Sequence, residues 1–240
     1  MELLLESIIN ETATKAKPVN DNARSALEFL ESYSRAPASD YRKKVLSVVT
    51  ASLVIGNTKL GQQAVVIIHK LGKDDRFHSQ DLEEEQSSWM TQQVVDALSP
   101  LKNAVSELQT EYLQALLTLS YHSCWIVSGQ ICLELLFLCH DILTLTINAT
   151  TRAAAQNVAV NTVSCLSRWL CRNDTDRGMV DVIPVMQFLC NKLEELFTNH
   201  TANKKNNMEK EMFLGEAFNK KITLNLPNIS CYDSTNPTIR

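Results

Sequence analysis

Apolar residues recur at helical spacing from near the first residue to about position 197, and glycine and proline fall mainly between the recurring segments. That single pattern predicts a chain of helices with few strands. Leu4, Leu5, Ile8 and Ile9 mark a first short helix, and Pro18 separates it from a second with Ala23, Ala26, Leu27 and Leu30 on one face. A third, capped by Ser39, carries Val45, Val48, Val49 and Leu53 and stops at Gly56, where a left-handed residue is cheap without a Cβ. Asn57 or Thr58 caps a fourth, whose Leu60, Ala64, Ile67, Ile68 and Leu71 fall at i, i+4, i+7, i+8 and i+11 before Gly72. Residues 39–72 therefore read as one helical hairpin.

The polar stretch Lys73–Gln86, with Asp81, Glu83, Glu84 and Glu85, reads as a solvated loop. A fifth helix carries Met90, Val94, Ala97 and Leu98 and stops before Pro100; a sixth carries Leu101, Ala104, Val105, Leu108, Tyr112, Leu116 and Leu119. From Tyr112 to Cys171 only four of 60 residues are charged, which marks the buried centre of the fold. The seventh helix, about Ser128 to Ile147, is apolar nearly all round and is expected to meet neighbours on most sides or to sit at a subunit interface. Asn148 caps an eighth with Ala159, Val163, Leu166 and Leu170 at helical spacing, and residues 172–178 read as a loop. A ninth places Val182, Val185, Met186, Leu189, Leu193, Leu196 and Phe197 on one stripe, Pro184 lying in its first turn. After about His200 the pattern weakens, so residues 201–240 are expected to form a weakly helical and then disordered tail. The expected fold is all-α: an α-solenoid of antiparallel hairpins, HEAT- or armadillo-like, of about nine helices over 1–200.

Composition narrows the chemistry. Six Gly and six Pro stand against roughly 17 and 12 at average usage. The shortage disfavours a sandwich, a barrel or a Gly-rich nucleotide loop, and no Walker-type or G-x-G-x-x-G segment is present. Net charge is −4 with Lys and Arg dispersed, which predicts no nucleic-acid partner. MELLLESIIN has no basic n-region, and the apolar run Ile131–Ile147 is interrupted by Glu134, His140 and Asp141. Seven cysteines without a C-x-x-C pair fit a reduced, cytoplasmic chain, in which the sequons at Asn10, Asn148, Asn173, Asn199 and Asn228 are coincidental.

Scattered His69, His78, His122, His140 and His200 lie beside no G-x-S-x-G or Cys-centred signature, so no catalytic residue is expected. Cys132 and Cys139 lie seven apart with His140 alongside, the spacing of one helix face. A metal site there is the alternative to buried cysteines acting as small apolar side chains; the latter reading is preferred, with no metal and no cofactor.

The segments LEFLESYSR (27–35), IGNTKLGQQAVVIIHKL (55–71), DDRF (74–77) and above all INATTRAAAQNVAVNTVSCLSRWL (147–170) carry a resemblance. The chain resembles the N-terminal dimerisation and cyclophilin-binding (DCB) domain of the large brefeldin A-inhibited Arf guanine-nucleotide exchange factors, within that group most similar to the divergent third animal paralogue. It departs at Ala154–Ala159, where the family more often has Thr-Leu-x-Gln-Met-Leu. The resemblance implies a noncatalytic solenoid that joins protomers into dimers or docks on the downstream domain of the full-length factor. It further implies a place in vesicle trafficking, peripheral to Golgi and endosomal membranes through a small Arf-like GTPase. FLGEAF (213–218) is similar to the family's catalytic loop but lacks its Arg and Pro, so Glu216 reads as an ordinary helix residue and the chain as an N-terminal fragment or truncated isoform without the exchange domain. Asn148, Thr151 and Arg152, where the family motif is densest, are the candidate partner-facing residues, with Lys59 and Gln62 added; the competing reading is that Asn148 caps its helix and Ala153–Ala155 allow close packing. A generic cytosolic helical-repeat adaptor, or a metal protein using Cys132, Cys139 and His140, is the alternative function.

Overall fold

In the computed structural model, residues 1–13, 15–32, 36–79, 85–171 and 182–192 are described. Every regular element among them is helical. The chain divides into two units, 1–188 and 189–240. In the first, α1 (Glu2–Thr12) and α2 (Lys17–Ser32) pack as a hairpin. Leu5, Ile8, Val19, Ala23 and Ala26 are buried, and the Asn20 amide donates to the Ile9 carbonyl (2.8 Å) and to Thr12 Oγ1 (3.0 Å). Those two bonds satisfy a buried amide that would otherwise oppose the packing.

The hairpin read from spacing is present as α3 (Ala38–Ile55) and α4 (Thr58–Leu71). Gly56 sits at φ 70° and closes α3 by donating to the carbonyls of Ser52 and Leu53, while Asn57 Oδ1 accepts from the Leu60 amide at 3.2 Å. A stop and a start are thus encoded in two adjacent residues. Then come α5 (Met90–Ala97), α6 (Ser106–Leu119), α7 (Gly129–Leu145), α8 (Ala149–Leu170) and α9, helical over 182–188 in this unit. The second unit's described residues, 189–192, are helical as well.

The packing has the two-layer order of a solenoid. α3, α5 and α7 lie side by side in one layer, and α4, α6 and α8 in the other. The layers meet through α3 with α4 and α7 with α8, and fully buried Val45, Val49, Ile67, Leu98, Leu108, Leu116, Leu135 and Ile142 line the space between. At one edge Arg76 pairs with Glu2 (2.5 Å) and Asp74 (2.7 Å), and its guanidinium holds the Glu2 carboxyl down at about 2.

Four local expectations change. Helix α3 begins one residue before Ser39, with Pro37 at the cap position and no side-chain cap bond; the Pro37 carbonyl accepts from the amides of Asp40 and Tyr41. Leu101 belongs not to α6 but to a separate 3₁₀ turn, Ser99–Asn103, because Ala104 and Val105 are extended (ψ 163° and 152°). The polar stretch 73–86 contains a 3₁₀ turn, Asp75–Phe77, whose Phe77 is fully buried. Finally, α7 buries one broad face and leaves Phe137 and Leu145 exposed, which removes the expectation of neighbours on most sides and leaves that of a subunit interface open. The readings of 172–178, of Leu193, Leu196 and Phe197, of the 201–240 tail and of Glu216 fall outside the described residues.

Candidate functional site

The start of α8 is built on the end of α7. Asn148 Oδ1 accepts from the amides of Thr150 (2.9 Å) and Thr151 (3.1 Å), so the cap is made as its residue type predicts. Thr151 is fully buried; its hydroxyl donates to the Ser106 carbonyl (3.1 Å) and lies 2.8 Å from Thr110 Oγ1. The Thr110 and Thr151 hydroxyls both meet the Ser106 carbonyl and the Ser106 hydroxyl lies 3.2 Å from that of Thr146, which joins the N-terminus of α8 to that of α6. Arg152 turns back and donates to the carbonyls of Leu143 (3.0 Å) and Thr146 (3.4 Å), two acceptors that the end of α7 leaves without helical partners. Ala155 is buried, Ala154 half-buried and Ala153 exposed, so close packing falls to one of the three.

Asn148, Thr151 and Arg152 act together in this geometry, and what they do is fix the α7–α8 corner. Asn148→Ala is expected to cost about 1 kcal/mol of stability, the usual value of a lost cap, read by urea denaturation. A change within error of zero would show that water replaces the cap bonds.

The corner presents apolar surface to solvent. Ile147 is 99% exposed and Leu145 67%, and Phe137 stands two turns earlier on the same helix, its ring against Phe188 at 4.7 Å. Ile183 and Met186 of α9 are also half exposed or more. Asp141 breaks the apolar run and pairs with Lys102 at 3.3 Å. Sequence periodicity could not single out Ile147, because it follows the last turn of α7 and belongs to neither helical stripe.

Lys59 and Gln62 lie on α4, away from that corner in the chain. Lys59 is exposed and pairs with Glu11 of α1, and Gln62 donates to Glu111 Oε1 of α6 at 3.0 Å. Both bridge neighbouring helices across the α4 surface. Cys132 and Cys139 are buried in α7, and burial pushes both thiols up to about 12. Buried thiols of that kind are inert apolar fillers. No helix among the described residues is long and apolar enough to cross a membrane.

The described helices define a two-layer helical solenoid whose polar residues fix a corner and whose apolar residues are left at its surface. Residues 1–168 match the family described as Mon2/Sec7/BIG1-like, dimerisation and cyclophilin-binding domain, and the chain belongs to that family. It is similar to brefeldin A-inhibited guanine nucleotide-exchange protein 3 of Mus musculus, 23% identical over 219 residues covering 81% of this chain and 10% of that protein. The Homo sapiens protein of the same name is 25% identical over 143 residues, 58% of this chain and 6% of that one. The chain thus spans about a tenth or less of the length of these relatives. No solved structure matches it.

Proposed function

We propose that the chain is a noncatalytic self-association module of a large Arf guanine-nucleotide exchange factor, and that a second copy covers the α7–α8 corner. The observation that carries this reading is Ile147, almost wholly exposed and flanked by Leu145, on a corner held by Asn148, Thr151 and Arg152. An isolated exposed isoleucine is ordinary, but a rigid apolar corner in a domain family described by dimerisation has a reason to be bare. In this reading Ile147, Leu145, Asn148 and the Arg152 stem border the contact, Thr151 sets its backbone from within, and Lys59 and Gln62 stand on a separate face.

The same reading supplies the other partners. The downstream domain of the full-length factor competes for or extends the self-contact. A small Arf-like GTPase brings the assembly to Golgi and endosomal membranes in vesicle trafficking, the chain itself remaining peripheral and cytoplasmic. In this reading the domain over residues 1–168 contributes contacts and not nucleotide exchange.

Light scattering after size-exclusion chromatography tests the proposal on the full 240-residue chain. The expected result is a dimer mass, with Ile147→Asp weakening association about tenfold or more while leaving the helical circular-dichroism signal unchanged, since one buried isoleucine contributes about 1.5–3 kcal/mol. A monomer at every concentration, or a dimer indifferent to Ile147→Asp, overturns the assignment of the corner.

A further inference from the structure

The α4 exit and the α6–α7 turn bring together three side chains that the sequence holds far apart. One ring nitrogen each of His78 and His122 and the Cys124 thiol lie within 4.8 Å of one another, all half-buried. We propose that His78, His122 and Cys124 form a zinc site that fastens the segment after α4 to the turn between α6 and α7, its fourth position taken by the Asp75 carboxylate or by water.

The distances suit that chemistry. With zinc bonds of about 2.0–2.1 Å to nitrogen and about 2.3 Å to sulfur, a tetrahedron has an N···S edge of about 3.6 Å. His122 Nδ1 and Cys124 Sγ are 3.6 Å apart. The corresponding N···O edge is about 3.4 Å, and Asp75 Oδ1 is 3.6 Å from His78 Nδ1 on a carboxylate otherwise open to solvent. Any pair among the three, at most 4.8 Å apart, need close by no more than about 1.4 Å, within reach of side-chain rotation.

One nitrogen of His78 is already engaged. Its Nε2 lies 2.8 Å from the Leu71 carbonyl oxygen, which can only accept, so Nε2 carries the proton and Nδ1 holds the lone pair. A ligating histidine that donates its other N–H to a carbonyl is the common outer arrangement of zinc sites. Two imidazoles and a thiolate are a borderline-soft set that favours zinc over calcium or magnesium. The sequence signal is the short H-x-C step 122–124, on a turn as zinc ligands prefer; His78, 44 residues upstream, has no spacing that links it. This departs from the expectation of a metal-free chain, and it involves neither Cys132 nor Cys139.

The test uses the full chain in a background with Cys171, Cys190 and Cys231 changed to serine, stripped of metal and titrated with Zn²⁺ against a chromogenic chelator. The expected result is one zinc per chain, and, with Co²⁺ in place of Zn²⁺, a sulfur-to-cobalt charge-transfer band with tetrahedral d–d intensity. Cys124→Ser or His122→Ala weakens binding at least about a hundredfold, and Cys132→Ser leaves it unchanged. Failure of the background chain to take up one zinc, absence of the cobalt thiolate band, or equal affinity in the Cys124→Ser, His122→Ala double variant overturns the proposal. The cobalt spectrum decides on its own if a ligand variant does not fold, and none of these readouts depends on self-association.

Discussion

A Gly61→Val chain is expected to unfold about 3 kcal/mol more easily than the parent, because α4 and α6 touch at that residue with no room for a side chain. A Cβ placed on Gly61 would lie 2.6 Å and 2.8 Å from the two Cδ atoms of Leu108, which is itself fully buried. Methyl ends can normally swing aside, but in an interior packed at ordinary protein density such a movement must displace other side chains. The backbone is committed as well, since the Tyr112 hydroxyl donates to the Gly61 carbonyl at 3.1 Å and burial raises its pKa, so the phenol stays a donor. Gly61→Ala sets two effects against each other. Helix propensity favours alanine by about 1 kcal/mol, and overpacking costs about 1–3 kcal/mol, so a net loss near 1 kcal/mol is expected. Valine adds two more carbons and a β-branch to the same contact, and loses the balance. Chemical denaturation measures all three chains. Pairing Gly61→Ala with Leu108→Ala removes the clashing atoms, so the double variant should be more stable than the sum of the single losses predicts. Simple additivity would show that the helices separate instead of clashing.

How far such contacts could be foreseen depends on what periodicity reports. It gave α4 its limits because five apolar residues, an asparagine cap and a following glycine all agree on them. It gave α8 its cap for the same reason. It erred where neighbouring elements stay in phase. Leu101, Ala104, Val105 and Leu108 look like one helix, since a 3₁₀ turn also brings i and i+3 to one side, and only the extended backbone at 104–105 separates them. The single Phe77 in a charged stretch has no period at all, yet it is among the most buried side chains. At the candidate site the polar residues were visible as a motif and the exposed apolar ones were not. Asn148, Thr151 and Arg152 stand out by residue type, and the Asn148 cap lies within α8, but the bonds of Thr151 and Arg152 run to α6 and the end of α7, which spacing along one helix cannot show. Exposure of Ile147 is a property of packing, and the same letter in the sequence would serve a core position equally well. For the zinc ligands the obstacle is distance along the chain: the fold must close before residues 78 and 122 become neighbours.

The largest loss is expected at Arg42, whose replacement by alanine should cost about 3–5 kcal/mol. Arg42 lies in α3 and is 1% exposed. Its guanidinium donates to the Phe77 carbonyl (2.7 Å), the Ser88 carbonyl (2.5 Å) and Gln93 Oε1 (2.8 Å). One side chain thus holds both ends of the 77–88 segment and the first turns of α5 against α3. Alanine leaves a cavity of arginine size and strips partners from two carbonyls that are largely shielded from water; each hydrogen bond to a charged donor contributes about 1.5–3 kcal/mol. Hydration of the loosened segment recovers part of that sum, which keeps the expected total near the lower multiple. Arg42→Lys separates charge from geometry. An ammonium keeps the charge, but it cannot reach three acceptors in a fixed planar fork, so most of the loss should remain. Denaturation midpoints give the magnitude, and limited proteolysis gives the place: both variants should be cut faster at Arg76 and Phe77, beside the lost bond, than elsewhere in α3 to α8. A stable Arg42→Ala chain cut no faster at Arg76 and Phe77 than the parent would mean that burial of Phe77 alone holds the turn, and that the guanidinium is tolerated there without being needed.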